Sequence, residues 1–194
     1  MAPPRKHETD AILDATRALV LAEGPRAASV AAIAKVSGAP AGTLYHRFGN
    51  RNGVLTAAWL RALKRFQSRA MAADGDSPVE AAVAMGVAAV DFARSAPEDA
   101  RLLLTIRPRD LLDGAPDAEF TATLAAMNAP LVERLRESAR AIFGDDDPRS
   151  MDAMSRAVVD LPYAVVRRHA NDAELPAWME EDLAAAVRKL LTIG

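Results

Sequence analysis

Residues 29–51 read Ser29-Val-Ala-Ala-Ile33-Ala34-Lys-Val-Ser37-Gly38-Ala39-Pro40-Ala-Gly42-Thr43-Leu44-Tyr45-His46-Arg47-Phe48-Gly49-Asn50-Arg51, and this stretch decides the fold. Ser29 is placed to cap a helix, because its hydroxyl oxygen can accept from a free N–H of the first turn. The helix behind it is barely two turns long and closes at Ser37-Gly38, where glycine tolerates the left-handed conformation that stops a helix. A second short helix over residues 40–47 breaks at Gly49, and Asn50 caps a long one that starts at Arg51. A helix-turn-helix needs a small residue where its helices touch, then a turn residue, then an apolar residue that pins the second helix. Ala34, Gly38 and Leu44 are spaced for those roles, and Ile33 and Phe48 add packing. The second helix is then left with an exposed polar face, short enough to enter a DNA major groove.

The flanking sequence is helical on both sides. Ile12, Ala15, Leu19 and Ala22 fall at helical spacing over residues 9–23, and Gly24-Pro25 ends that run. The long helix from Arg51 extends to about residue 73. Ser77, Pro78 and Glu80 read as a capping box with proline at the first helical position, opening a helix to about residue 95. A further helix begins at Pro97 and loses its pattern near Arg107-Pro108. Residues 113–117 form a loop, residues 118–143 a helix bent at Pro130, and residues 144–148 a second loop. Residues 150–170 read as one helix kinked at Pro162, and residues 176–192 as the last. No segment alternates as a strand does. The expectation is an all-α protein of about nine helices, with a helix-turn-helix domain at 1–51 and a helical bundle at 52–194.

Composition narrows the chemistry. No cysteine is present, which excludes disulfides and thiolate sites. His7, His46 and His169 are scattered, and neither a glycine-rich phosphate loop nor a catalytic triad is apparent, so no enzyme activity, cofactor or metal is expected. No apolar run reaches the ~20 residues of a membrane span. Residues 1–51 carry seven basic and four acidic side chains, against 17 and 22 in the remainder, so a basic head sits on an acidic body. That polarity suits a phosphate-binding module joined to something else.

Gly24, then Ser29-Val-x-x-Ile33-Ala34-x-x-Ser37-Gly38, then Gly42-Thr43-Leu44-Tyr45-x-x-Phe48-x-Asn50-Arg51, resembles the N-terminal domain of the TetR-like (tetracycline-repressor family) regulators. The resemblance covers about the first quarter of the chain. It departs at Ala39 and Pro40, where the family carries a larger apolar residue and a Ser-like cap, and at Asn52, which replaces an acidic residue. It implies a cytoplasmic repressor that binds a palindromic double-stranded DNA operator as a homodimer and is released by a small apolar effector. Two other readings compete with it: a helical interaction protein that has lost specific DNA binding, and a small helical enzyme.

The candidate contacts follow. Thr43 and Tyr45 suit phosphate oxygens, with a half-buried packing ring as the alternative for Tyr45. His46 and Arg47 are candidates for base edges or the flanking backbone, with a solvated side chain as the alternative for His46, and Arg is the better for guanine because its fork bonds two acceptors at once. Ser29 and Arg51 stand at helix starts, where free N–H groups favour a phosphate. Arg5 and Lys6 precede the first expected helix, as a basic arm along the DNA backbone or minor groove or as a solvated, disordered tail. Met151, Met154, Val158, Leu161 and Val165 form one narrow apolar stripe, and Met179, Leu183, Ala186, Leu190 and Ile193 another. Either stripe can pack in the chain's own core; the resemblance assigns them to a dimer interface, with Met154, Val158, Leu161, Val165, Leu183, Ala186 and Leu190 at its centre. An effector cavity is expected among Trp59, Phe66, Met85, Phe92, Leu103, Phe120, Met127 and Tyr163, each with plain core as the alternative, and Arg107 and His169 are either its polar anchors or surface groups.

Overall fold

Helix α1, Arg5–Glu23, leads directly into the short pair α2, Val30–Ser37, and α3, Ala41–Phe48, in a computed structural model that describes residues 5–112, 114 and 118–192. The chain continues as α4 (Arg51–Ala72), α5 (Pro78–Ser95), α6 (Pro97–Thr105), α7 (Pro108–Leu111) and α8 (Ala118–Phe143). Helix α9 is continuous over residues 148–168: Pro148–Ser155, a π-helical turn Arg156–Asp160, then Leu161–Arg168. Helix α10 is Met179–Thr192. Apart from the short turn at Pro25–Ala27, these ten helices contain all the regular structure among the described residues, and none of those residues forms a strand.

The count exceeds the expected nine by α7, a four-residue turn with Pro108 at its start that is too short to show periodicity. Helix α1 begins at Arg5, so Arg5 and Lys6 belong to the helix and do not precede it. The contacts expected of their side chains lie outside what is described, as do Ile193 and most of the loop at 113–117. Ser77 caps α5 by accepting from the Glu80 N–H at 3.2 Å. The other half of the expected capping box is absent, because the Glu80 carboxylate reaches Arg188 of α10 instead, at 2.7 and 2.8 Å.

The single helix across Pro162 has a local cause. Proline has no N–H to donate, and its ring crowds the carbonyl four residues back. The turn just before it is widened, with the Leu161 N–H reaching back five residues to the Arg156 carbonyl, so helical direction survives. The apolar face built on Met154, Ala157 and Val158 therefore continues to Val166.

Two cores share one helix. The N-terminal core contains Ile12, Val20, Ile33, Leu44, Val54 and Leu55, and it reaches along α4 to Ala62. The second core contains Met85, Val90, Met154, Met179 and Val187, and takes in Ala70 near the other end of α4. Helix α4 thus belongs to the head in its first half and to the body in its second. A boundary at residue 51 falls just before the segment that completes the N-terminal core.

Candidate nucleic-acid interface and effector cavity

The helix-turn-helix is fixed by three local devices. The Ser29 hydroxyl accepts from the Ala32 N–H at 3.1 Å and starts α2. Gly38 ends it at φ 72°, the left-handed region glycine adopts without a Cβ penalty. Asn50 accepts from the Gly53 N–H at 2.9 Å and starts α4. Gly53 also has no room for a side chain, because a Cβ there would lie 1.9 Å from the Phe48 carbonyl oxygen. That close approach sets how tightly α3 turns into α4, and no spacing rule had singled it out.

Ile33 and Leu44 are buried between the helices, as the motif requires. The departure at Ala39 is absorbed, since its methyl is itself buried in this core. Pro40 stands one residue ahead of α3 with φ −57° and ψ 139°, in the cap position and not in the first turn.

The exposed face of α3 carries Tyr45 and His46, with Thr43 half-buried beside them. Tyr45 is 55% exposed, which removes the alternative of a packing ring. The two arginines are placed differently. Arg47 donates to the Thr9 hydroxyl of α1 at 2.8 Å, bracing α3 against the first helix. Arg51 donates from Nε to the Ala28 carbonyl at 3.1 Å and from Nη2 to the Pro25 carbonyl. Its guanidinium therefore ties α4 to the turn of residues Pro25–Ala27, a turn absent from the sequence expectations. The start of α4 suits Arg51 to a phosphate, and in this structure its fork closes the N-terminal domain.

Asp10 and Asp14 pair with Arg61 of α4 at 3.0 and 2.5 Å. Arg26 and Lys35 are exposed, and neither forms an ion pair among the described residues. Burial raises the pKa of Asp99, but hydrogen bonds and charge from Arg65 and Arg17 outweigh it, leaving this carboxyl below its ordinary value.

Within the body lies a cavity of about 240 Å³. Trp59, Phe66, Met85, Phe92, Leu103 and Tyr163, six of the eight expected residues, line it. Phe120 instead packs edge-on against Trp59, ring centroids 6.3 Å apart, in the N-terminal core. Met127 is half-buried on α8 and away from the cavity wall. Ala70, Ala89 and Ala100, which sequence reasoning passed over, create the space because their side chains end early. No charged residue lines the cavity among the described residues, and the Trp59 indole N–H is already bonded to the Ile106 carbonyl at 3.2 Å. The two candidate anchors lie elsewhere. Arg107 is exposed ahead of α7, and His169 lines a second, more polar groove, bonded to Asp172 at 2.6 Å.

The apolar stripes divide in the same way. Met154, Val158 and Leu183 are buried in the chain's own core, with Val158 also in the cavity wall, so they are unavailable to a partner. Leu161, Val165 and Ala186 are half-buried, and Leu190 is 43% exposed. Ion pairs from Glu180 to Arg94 and from Arg188 to Glu80 hold the other flank of α10 against α5. The candidate dimer face is thereby reduced to the Leu161, Val165, Ala186 and Leu190 flank of α9 and α10.

A capped helix-turn-helix with an exposed second helix is thus joined by a shared helix to an all-helical body. Residues 12–58 match the family of bacterial regulatory proteins named tetR. A TetR family transcription regulator from Marinobacter aquaeolei superimposes with a TM-score of 0.77 at 19% identity, covering 98% of each chain. A TetR-like transcriptional regulator from a Rhodococcus species gives 0.71 at 18% identity, covering 98% of this chain and 97% of that one. The regulator PfmR from Thermus thermophilus gives 0.70 at 22% identity, covering 93% and 97%. No curated protein sequence matches the chain. The match lies in the head, and the whole chain has the fold of the solved TetR-family transcription regulators.

Proposed function

We propose that this protein is a ligand-responsive transcriptional repressor that binds a palindromic operator as a homodimer and lets go when a small apolar molecule fills its body. Residues 1–51 supply the reading surface, and residues 52–194 supply the effector site and the dimer face. The observation that carries this reading is that α4 joins two sites: it begins beside the exposed α3 and ends in the wall of an apolar cavity. Tyr45, His46 and Thr43 need no rearrangement to meet DNA. Arg47 reads a base edge by exchanging Thr9 for the base. Ser29 brings the free N–H groups of α2 to a phosphate.

The wall chemistry selects the effector. A charge brought into that cavity would lose its water and meet no partner, so the occupant is uncharged and mostly apolar. It releases DNA only if it prefers the conformation in which the two α3 helices no longer fit successive major grooves, since equal affinity for both forms shifts nothing. The same free energy then acts in reverse, and operator DNA weakens effector binding by the same factor. Calorimetric titration of an effector into the free protein and into its operator complex tests this. Weaker binding to the complex supports the reading, and identical affinities would show that the cavity is not coupled to DNA. The chains that superimpose on this one are themselves regulators, which favours this reading over the enzyme alternative. The reading of a helical interaction protein without specific DNA binding requires that no DNA sequence is preferred.

A further inference from the structure

Asp99 is the only buried charged residue among the described residues, 1% exposed in the first turn of α6. Its Oδ1 accepts from Arg17 Nη1 of α1, and its Oδ2 from Arg65 Nη1 of α4 at 2.8 Å. The adjacent Glu98 accepts from Arg17 Nη2 at 2.5 Å. Ala100, the next residue, and Leu103, one turn on, line the cavity. At the far end of α6 the Ile106 carbonyl accepts from Trp59, itself in the cavity wall. Helix α6 is thus a nine-residue rod with one side in the cavity and both ends pinned to helices that pack in the N-terminal core.

Stability is a poor explanation for this arrangement. A buried ion pair does little better than well-packed apolar residues of the same size, because desolvation offsets the attraction. What a carboxylate held between two guanidiniums supplies is direction. Its charge-assisted bonds resist both sliding and rotation, whereas an apolar contact slips. We propose that Asp99, held by Arg17 and Arg65, is the joint through which occupancy of the cavity reaches the DNA-binding head. This rests on the reading of the cavity as an effector site. An occupant displaces Ala100 and Leu103, α6 moves, and Arg17 carries α1 with it. Because α1 packs against α2 and is braced to α3 through Thr9 and Arg47, α3 changes its angle to the DNA. Asp99 is a positioning residue in this scheme and touches neither ligand.

The test uses the full-length protein, an operator selected from random double-stranded DNA, and N-phenyl-1-naphthylamine, an uncharged aromatic probe that fluoresces in apolar surroundings. Probe binding is read by fluorescence, and operator binding by anisotropy with and without probe. The wild type should bind the probe and lose operator affinity by about tenfold or more, within the usual range of allosteric coupling. Asp99→Asn should bind probe and operator nearly as well, yet its operator affinity should change by less than about twofold on adding probe, well below that range. Should Asp99→Asn fold poorly, the paired replacement Arg17→Met with Asp99→Leu removes the carboxylate with its less exposed partner, leaves the half-exposed Arg65 to solvent, and is read in the same way. A variant that responds as strongly as the wild type overturns the joint. So does a wild type that binds the probe without losing operator affinity, and that result leaves the cavity as a binding site. Absence of probe fluorescence overturns the effector-site reading itself, and with it the joint.

Discussion

Arg51 shows how one side chain can be placed by sequence and still have its role decided by its neighbours. Its position at the start of α4 suited a phosphate contact, but its guanidinium bonds the carbonyls of Ala28 and Pro25. Hydrogen bonds from a charged donor contribute about 1.5–3 kcal/mol. Arg51→Ala should therefore lower thermal stability by about that amount. Arg51→Lys separates the two roles, because it keeps the charge and loses the fork. A clamp predicts that Lys melts nearly as early as Ala. A Lys variant with wild-type stability that keeps the DNA binding Arg51→Ala loses would restore the phosphate role. Asp99 gives a second prediction at this scale. Its pKa is lower folded than unfolded, where an ordinary value is about 3.9. The ionised group therefore stabilises the fold above that value, and the contribution disappears as pH falls through the lower, folded pKa. Thermal melts should show wild type more stable than Asp99→Asn near neutrality, with the gap narrowing below about pH 4. A gap that stays constant with acidity would mean that the carboxylate's charge does not stabilise the fold.

At the scale of elements, α9 and α10 show where sequence stops being informative. Helical periodicity identifies an apolar face, but the same face can be covered by the chain's own helices or by a second copy. Met154, Val158 and Leu183 belong to the first case, while Leu161, Val165, Ala186 and Leu190 remain for the second. Substitution to Glu separates the two. Leu183→Glu places a charge at a 2% exposed site and should unfold the chain, as seen by circular dichroism. Leu190→Glu should leave the fold intact and shift sedimentation toward monomer, because the charge loses its water only in the dimer. If Leu190→Glu sediments as the unmodified protein does, this flank is not the interface. The helix-turn-helix was legible for the opposite reason. Ser29, Gly38 and Asn50 act on backbone groups within a few residues, so their effect is written locally. The turn at Pro25–Ala27 and the helix at Pro108–Leu111 were not legible, being shorter than any period that could reveal them.

For the whole molecule, the decisive feature is that two cores meet along α4, with α6 bridging them from the side. The large side chains of the cavity were mostly legible, because apolar bulk in the body has few places to go. The space itself was not, since it depends on Ala70, Ala89 and Ala100 facing one another across three helices. The joint at Asp99 was equally hidden, as Arg17 and Asp99 are 82 positions apart and charged residues on helices ordinarily face solvent. All of this bears on function only if the exposed face of α3 reads DNA. Selection of bound fragments from random double-stranded DNA by the purified protein, followed by sequencing, tests that most directly. The expected result is enrichment of one two-fold symmetric motif, its half-sites about one helical turn or a multiple apart, as a symmetric dimer reading successive major grooves requires. Enrichment of no motif, with fragments retained only through salt-sensitive binding to the backbone, would contradict it.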